Sequence, residues 1–122
     1  MNEQKGTILV TGTSGRIGYP LAKRLAESFT VVGFDRRAPS HPPPSAECLY
    51  VDLTSDESLR RGLQANRELH GNRIAAVIHL AAYYDFSGAP SPLYDQITVR
   101  GTERLLMRLV RLDWRGCAAR AH

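Results

Sequence analysis

Four groups of residues in this chain have types and spacings that could do chemistry. The first is Thr11-Gly12-Thr13-Ser14-Gly15-Arg16-Ile17-Gly18, in which the three glycines stand three positions apart. Gly12 lets a chain turn sharply off a strand, Gly15 lets backbone approach a phosphate with no Cβ in the way, and Gly18 lets a following helix pack closely. Amides around Gly15, Arg16 and Ile17 would then face an anion from a helix N-terminus, where the helix dipole favours negative charge. Asp35 lies 23 residues after Gly12, close to the ~20 expected of an acid that binds the hydroxyls of an adenosine ribose. Together they describe a site for a dinucleotide, with its pyrophosphate on the turn and its ribose on the acid. The second group is Arg100, Arg104, Arg108, Arg111 and Arg115, three or four apart along one helical face. Such a stripe suits phosphates or nucleic acid, but no aromatic residue is interleaved in it, and a solvated helix face is the simpler reading. His79, inside an apolar run, reads as a packed core histidine. Tyr83, Tyr84 and Asp85 follow that run, where ligands sit in open α/β sheets, either lining a site or anchoring a loop.

The elements that must position these residues can be traced by periodicity. Residues 7–10 form a buried strand, and Ile17, Leu21, Leu25 and Phe29 recur every four positions as an amphipathic helix of about three turns. Residues 30–34 are a second strand. Residues 38–45, with consecutive prolines, can be neither helix nor sheet interior and form a loop. Residues 48–51 make a third strand, closed by Asp52. Thr54 and Glu57 have the form of a capping box, opening a short helix through Leu59 and Leu63. Residues 74–80 are the fourth strand, and Ser91-Pro92 starts a last helix with an inner stripe of Leu93, Ile97, Gly101, Leu105 and Leu109. Strands and helices alternate four times, which predicts an α/β fold: a doubly wound parallel sheet in the order 3-2-1-4, with its crevice between the carboxyl ends of strands one and four.

Composition supports one domain. The chain has 122 residues, 43% hydrophobic and 23% charged, enough for a single core. The longest nearly uncharged apolar stretch, residues 74–84, falls short of the ~20 that a membrane helix needs. No basic-then-apolar leader suggests export, and Cys48 and Cys117 make no disulfide framework, so a reducing cytoplasm is the expected compartment. Charges cancel over residues 1–99, and the whole excess of +4 falls in residues 100–122.

The spacing Gly-x-x-Gly-x-x-Gly resembles that of the short-chain dehydrogenase/reductase superfamily, in particular its extended branch, the NAD-dependent epimerase/dehydratases. Three later segments are similar to that branch in the same order. Asp52-Leu53 looks like its adenine-contacting pair, though Asp52 alone would also suit an Asx turn. His79-Leu80-Ala81-Ala82 looks like its His-x-Ala-Ala, whose backbone borders the cofactor's pyrophosphate and nicotinamide ribose. Thr98-Val99-Arg100-Gly101-Thr102 resembles its Asn-Val-x-Gly-Thr, with Thr98 where asparagine is usual. The resemblance covers roughly residues 6–110. It implies a Rossmann-like NAD(P)-binding domain over residues 1–112, an irregular tail over 113–122, and cofactor contacts from Gly12, Ser14, Gly15, Arg16, Ile17, Gly18, Asp35, Arg36, Asp52, Leu53, Leu80, Ala81 and Ala82. Arg16, Arg36 and Arg37 would welcome the extra phosphate of NADP, whereas Asp35 would repel it, and the acid favours NAD.

The resemblance also implies a Tyr-x-x-x-Lys pair and a serine or threonine ending a fifth strand. Only Tyr19 has a lysine four residues on, Lys23, and it directly follows the phosphate turn, at the wrong end of a dinucleotide for hydride chemistry. Residues 113–122 show neither strand alternation nor the serine, so the chain reads as the N-terminal half of such an oxidoreductase, with no catalytic residue of its own. The parent would move a hydride between a sugar or hydroxyl carbon and NAD. A non-catalytic NAD(P) sensor or interaction module is the competing reading, and a nucleic-acid binder is the distant third. The fourth strand then has an open edge, and Leu105, Leu106, Leu109 and Val110 lack later elements to pack under, which predicts self-association.

Overall fold

The computed structural model describes residues 6–37, 46–71, 73–82, 87 and 89–110. The loop 38–45, Tyr83, Tyr84, Asp85, Arg111, Arg115 and the tail 113–122 lie outside the described residues. The elements are β1 (Thr7–Thr11), α1 (Gly18–Leu25), β2 (Thr30–Asp35), β3 (Ala46–Tyr50), α2 (Asp56–His70), β4 (Ile74–His79) and α3 (Arg100–Val110), the last continuing directly from a π-helical segment, Tyr94–Val99. The four strands pair in parallel in the order β3-β2-β1-β4, as the alternation of elements predicts. Parallel neighbours need crossovers, and the helices supply them.

Side chains alternate between two cores with the period of two that a strand imposes. Leu9, Val32 and Phe34 join Val51, Leu53, Leu59, Leu63, Ile74, Leu105 and Leu109 under α2 and α3. Ile8, Val10 and Val31 face the other way, onto Ala22 and Ala26. β1 is buried along its whole length because strands flank it on both sides and cores cover both faces. Among the described residues no helix is long and apolar enough to cross a membrane.

Three expectations need correction. The first helix is shorter than three turns and turns a different face inward. Its buried line is Gly18, Ala22 and the capping Ala26, while Ile17 is 68% and Phe29 46% exposed. Small residues at spacing four let α1 lie close on the sheet, and the larger Leu21 and Leu25 flank that line half-buried. The cap of α2 is Ser55 and not Thr54: Ser55 accepts the Ser58 N–H at 3.1 Å. Thr54 instead turns back to Asp52, donating to Oδ1 from its amide at 2.9 Å and its hydroxyl at 2.7 Å. Glu57 pairs with Arg60 and Arg61.

The last helix begins as expected, with Ser91 Oγ accepting the Leu93 N–H at 3.1 Å. The π-helical segment then widens the coil, so a spacing of four no longer keeps one face inward. Leu93 is 38% exposed, and the inner line holds only from Gly101 through Leu105 to Leu109. Leu105 and Leu109 are therefore core residues, and the exposed apolar ones are Leu106, Met107 and Val110.

The described part of the arginine stripe is engaged by the protein. Arg104 Nη1 donates to the Leu53 carbonyl at 2.5 Å, Arg108 forks onto Asp56, and Arg100 Nε lies 3.5 Å from Asp95. These contacts tie α3 to the start of α2 and to the β3–α2 connection. If this assignment of core and surface is right, Leu105→Ala should cost about 2–5 kcal/mol and Leu106→Ser within about 0.5 kcal/mol of nothing. Urea unfolding of the two variants checks it, and equal losses would overturn it.

Candidate functional site

The glycine turn sits at the carboxyl end of β1. Gly12 has φ +77°, a conformation that favours glycine, and its N–H donates to the Phe34 carbonyl of β2 at 2.9 Å. A Cβ on Gly12 would meet the Ala81 amide at 3.0 Å and the Leu80 carbonyl carbon at 3.1 Å, so the chain leaving β4 presses against it. At Gly18 a Cβ would lie 2.0 Å from the Gly12 oxygen, which no side chain survives. The close approach needed at Gly18 is thus to the turn's own backbone, more than to the sheet. Gly15 differs from both. It is exposed, its φ is not positive, and a Cβ there would meet only the Gly12 oxygen at 3.3 Å. The backbone conformation does not call for a glycine there, and packing opposes a Cβ only through that one tight contact. The Gly15 N–H is turned in to the Gly12 carbonyl at 3.1 Å and does not face outward as the spacing predicts.

The turn opens onto α1 with Ile17 as N-cap. Ile17 makes no side-chain capping bond, and the first helical turn carries no acid. Such an end is electrostatically suited to an external anion. Arg16 and Ile17 are both exposed beside it.

Asp35, at the end of β2, is bound to the turn. Its Oδ2 accepts the Ser14 N–H at 2.8 Å and its Oδ1 accepts the Arg37 N–H at 3.1 Å. The Ser14 hydroxyl donates to the Arg37 carbonyl at 2.6 Å. The carboxylate is oriented by two amides and still has acceptor capacity on each oxygen. Arg36 and Arg37 are exposed alongside. Thr13, 5% exposed, fills a notch over Gly33: a Cβ on Gly33 would lie 2.4 Å from Thr13 Oγ1. The Cys48 thiol stands 3.7 Å from the same hydroxyl. Burial pushes its pKa up, the hydrogen bond to Thr13 opposes this, and Asp35 adds to the rise.

Asp52 and Leu53 follow β3. Burial would raise the Asp52 pKa, but the Thr54 hydroxyl and amide, with Arg36 and Arg104 nearby, outweigh it and hold the carboxyl below its usual range. The Asx turn and a carboxylate that stays charged therefore coexist. The Leu53 side chain belongs to the core, and its carbonyl is taken by Arg104. Across the crevice, Thr11 Oγ1 accepts the Leu80 and Ala81 N–H groups at 3.0 and 3.1 Å and lies 2.6 Å from His79 Nδ1. Burial lowers the His79 pKa, but the ring is half-buried and bonded to Thr11 and Thr102 and belongs to neither core, which corrects the core histidine expected from sequence. Ala81 and Ala82 are half-buried.

The fold thus gathers the turn, Asp35, Arg36 and Asp52 at the carboxyl ends of β1–β3, with Leu80 to Ala82 opposite at the end of β4. That is where ligands enter open parallel sheets. Sequence reasoning missed the Thr13–Gly33 fit, although a lone glycine inside the run Val31-Val32-Gly33-Phe34 signals close approach of another segment. It also missed Thr11. Among the described residues no cluster of three or more His, Cys, Asp or Glu is placed to hold a metal ion.

Comparison with known proteins gives one family: the NAD dependent epimerase/dehydratase family matches residues 8–117. No match was found among curated proteins. Among solved structures, MoeE5 in complex with UDP-glucuronic acid and NAD is 33% identical, with a TM-score of 0.69 over 87% of this chain and 33% of that one. Uronate dehydrogenase from Agrobacterium tumefaciens is 20% identical, with a TM-score of 0.63 over 84% of this chain and 35% of that one. Aldohexose dehydrogenase from Thermoplasma acidophilum, in ligand-free form, is 16% identical, with a TM-score of 0.73 over 89% of this chain and 44% of that one. The chain spans between 33% and 44% of the length of each.

The Thr13–Gly33 fit yields a direct test. Gly33→Ala should cost about 1–3 kcal/mol by overpacking, and Thr13→Ala in the same chain should recover much of it, a coupling that a double-mutant cycle by thermal or urea unfolding would measure. Additive losses would mean that the two residues do not share the notch.

Proposed function

The chain belongs to the NAD dependent epimerase/dehydratase family, and we propose that it is the dinucleotide-holding part of such an oxidoreductase, with NAD as its ligand. The observation that carries this reading is Gly15. An exposed glycine that the backbone conformation does not require, opposed in packing by one tight contact alone and standing at an uncapped helix N-terminus, suits a pyrophosphate lying against the backbone.

In this reading the pyrophosphate runs along Gly12 and Ser14 to Gly18 and takes the amides of Arg16 and Ile17, the Gly15 N–H being committed to the Gly12 carbonyl at 3.1 Å. The adenosine ribose hydroxyls donate to Asp35, whose oxygens are already aimed by Ser14 and Arg37. Asp52 and Leu53 border the adenine with Arg36 beside them, and the backbone from Leu80 to Ala82 faces the nicotinamide ribose. Asp35 disfavours the added phosphate of NADP.

The reaction of the whole protein would transfer a hydride between a sugar or hydroxyl carbon and the nicotinamide. MoeE5, solved with UDP-glucuronic acid or UDP-glucose together with NAD, supports a sugar substrate. No residue of this chain is assigned to that chemistry. Tyr19 and Lys23 lie in α1, directly after the phosphate turn. The domain corresponds to residues 1–112, with 113–122 outside it, and two cysteines fit a reducing cytoplasm.

Gly15→Ala separates binding from folding. Its stability should stay within about 1 kcal/mol of the parent, because only one contact at 3.3 Å must give. Its NAD affinity should fall about tenfold or more, measured by calorimetry. Unchanged affinity would sink the assignment. Asp35→Ala should weaken NAD and narrow the preference over NADP, with some loss of stability from the two amides it releases.

A second copy of the chain is a further partner that the exposed surfaces suit. β4 pairs only with β1 among the described strands, and Leu106, Met107 and Val110 are 55%, 57% and 78% exposed. A second copy covering either surface should give a dimer or larger species in sedimentation at micromolar concentration. A monomer throughout would refute it.

A further inference from the structure

The backbone that borders the crevice at the end of β4 is held by a chain of hydrogen bonds whose protons can be assigned. The Thr102 hydroxyl donates to the Thr98 carbonyl at 2.5 Å. Its single proton is thereby committed, so its oxygen accepts from His79 Nε2 at 2.8 Å. The ring hydrogen is on Nε2, and Nδ1 is left as the acceptor. Thr11 Oγ1, 2.6 Å away, therefore donates to Nδ1. Both lone pairs of that oxygen then remain for the N–H groups of Leu80 and Ala81, at 3.0 and 3.1 Å. Every donor and acceptor in the chain is matched, and only while the ring is neutral.

A second proton on the ring changes the count. Nδ1 becomes a donor aimed at Thr11 Oγ1, which already accepts two amides and has no third lone pair. Thr11 must then release Leu80, Ala81 or the imidazole; the Leu80 N–H also reaches the Thr11 carbonyl at 3.2 Å, so the Ala81 N–H depends on the hydroxyl most. We propose that His79, acting through the Thr11 hydroxyl, is a positioning residue for the Leu80–Ala81 backbone, and that its protonation unseats the Ala81 amide and weakens dinucleotide binding. The binding half of this statement rests on the crevice being the NAD site; the positioning half does not.

The surroundings of the ring support it. β1 offers His79 only Thr11, and α3 offers Thr102. The ionisable residues of α3 are engaged or exposed elsewhere: Arg100 near Asp95, Arg104 on the Leu53 carbonyl, Arg108 on Asp56, and Glu103 in solvent. Burial alone lowers the pKa of the ring. A folded-state pKa below the ordinary ~6.5 means that the folded form resists protonation. Stability is then fully present above about pH 6.5 and is lost as the pH falls from there through the folded value.

Nitrogen-15 NMR of the whole chain tests the device. At about pH 7.5 the His79 ring should be the Nε2–H tautomer, and on acidification the Leu80 and Ala81 amide signals should move with the midpoint of the ring. His79→Asn, which keeps an acceptor towards Thr11 but has no proton to gain, should flatten that titration. NAD affinity of the parent should drop about fivefold between neutral and acidic solution, the size of one net hydrogen bond. Thr102→Val should lose a similar factor already at neutral pH, while Thr102→Ser should keep parental affinity and the same pH profile. An Nδ1–H tautomer at neutral pH, or Leu80 and Ala81 signals that ignore the ring, would overturn the proposal even in a chain that binds NAD well. A parent that binds no NAD but shows the coupled titration would instead refute the cofactor reading and leave the positioning role standing.

Discussion

The rest of the structure depends on how closely backbone can approach Gly12. Four segments converge there. The N–H of Gly12 is bonded to β2 through Phe34, and its carbonyl accepts the Gly15 N–H at 3.1 Å. That same carbonyl oxygen occupies the space a side chain on Gly18 would need, and the chain leaving β4 passes 3.0 Å from where a Cβ on Gly12 would stand. Removing two side chains at this knot fixes the angle at which α1 leaves the sheet and the width of the crevice beside β4. Hydrophobic burial stabilises the two cores but is not directional. The steric requirement at Gly12 and Gly18 supplies the direction.

Polar groups then fasten both sides of the knot. On the β2 side a charged carboxylate takes two backbone amides, and hydrogen bonds to charged groups are stronger than neutral ones. On the β4 side a neutral histidine and two threonines do comparable work without net charge. The division follows burial. Asp35 is at the rim, with Arg36 and Arg37 exposed beside it, whereas the His79 ring is half-buried among neutral hydroxyls, where an ion would lack compensation. A negatively charged ligand at the turn would meet one fixed acid, placed to meet hydroxyls, and helix amides placed to meet phosphate.

What was legible in the sequence is what a short local rule governs. Glycine spacing and the alternation of apolar runs gave the turn, the parallel sheet and its order, because each rests on sterics or period within a few residues. Faces of helices were less legible. The inner line of α1 consists of Gly18, Ala22 and Ala26, and a rule that follows large aliphatic residues moves the face to Ile17 and Phe29, which are exposed. The π-helical segment at Tyr94–Val99 shifts the phase of the last helix, and no residue type announces it. Ser55 and Thr54 compete for one cap, and Asp52, two residues before Thr54, decides the outcome by taking the threonine. Thr11, Thr13 and Gly33 act across strands, which spacing along one strand does not encode.

The site residues divide by how much of the fold they also carry. Gly12, Gly18 and Asp35 hold the turn together whether or not a ligand is present, and Leu53 is core. A loss of binding on changing any of them mixes two causes. Gly15, Arg16 and Ile17 carry a lighter duty: a Cβ on the first would meet one tight contact and no more, and the other two are exposed, Ile17 at 68%. An aliphatic side chain left that exposed at a helix N-terminus contributes little to the stability of this chain. Stability alone therefore does not explain the run Gly15-Arg16-Ile17, whereas it fully explains Gly12 and Gly18. The two sets of residues interleave within seven positions of the chain, so the part of the turn that faces outward is held by the part that faces in.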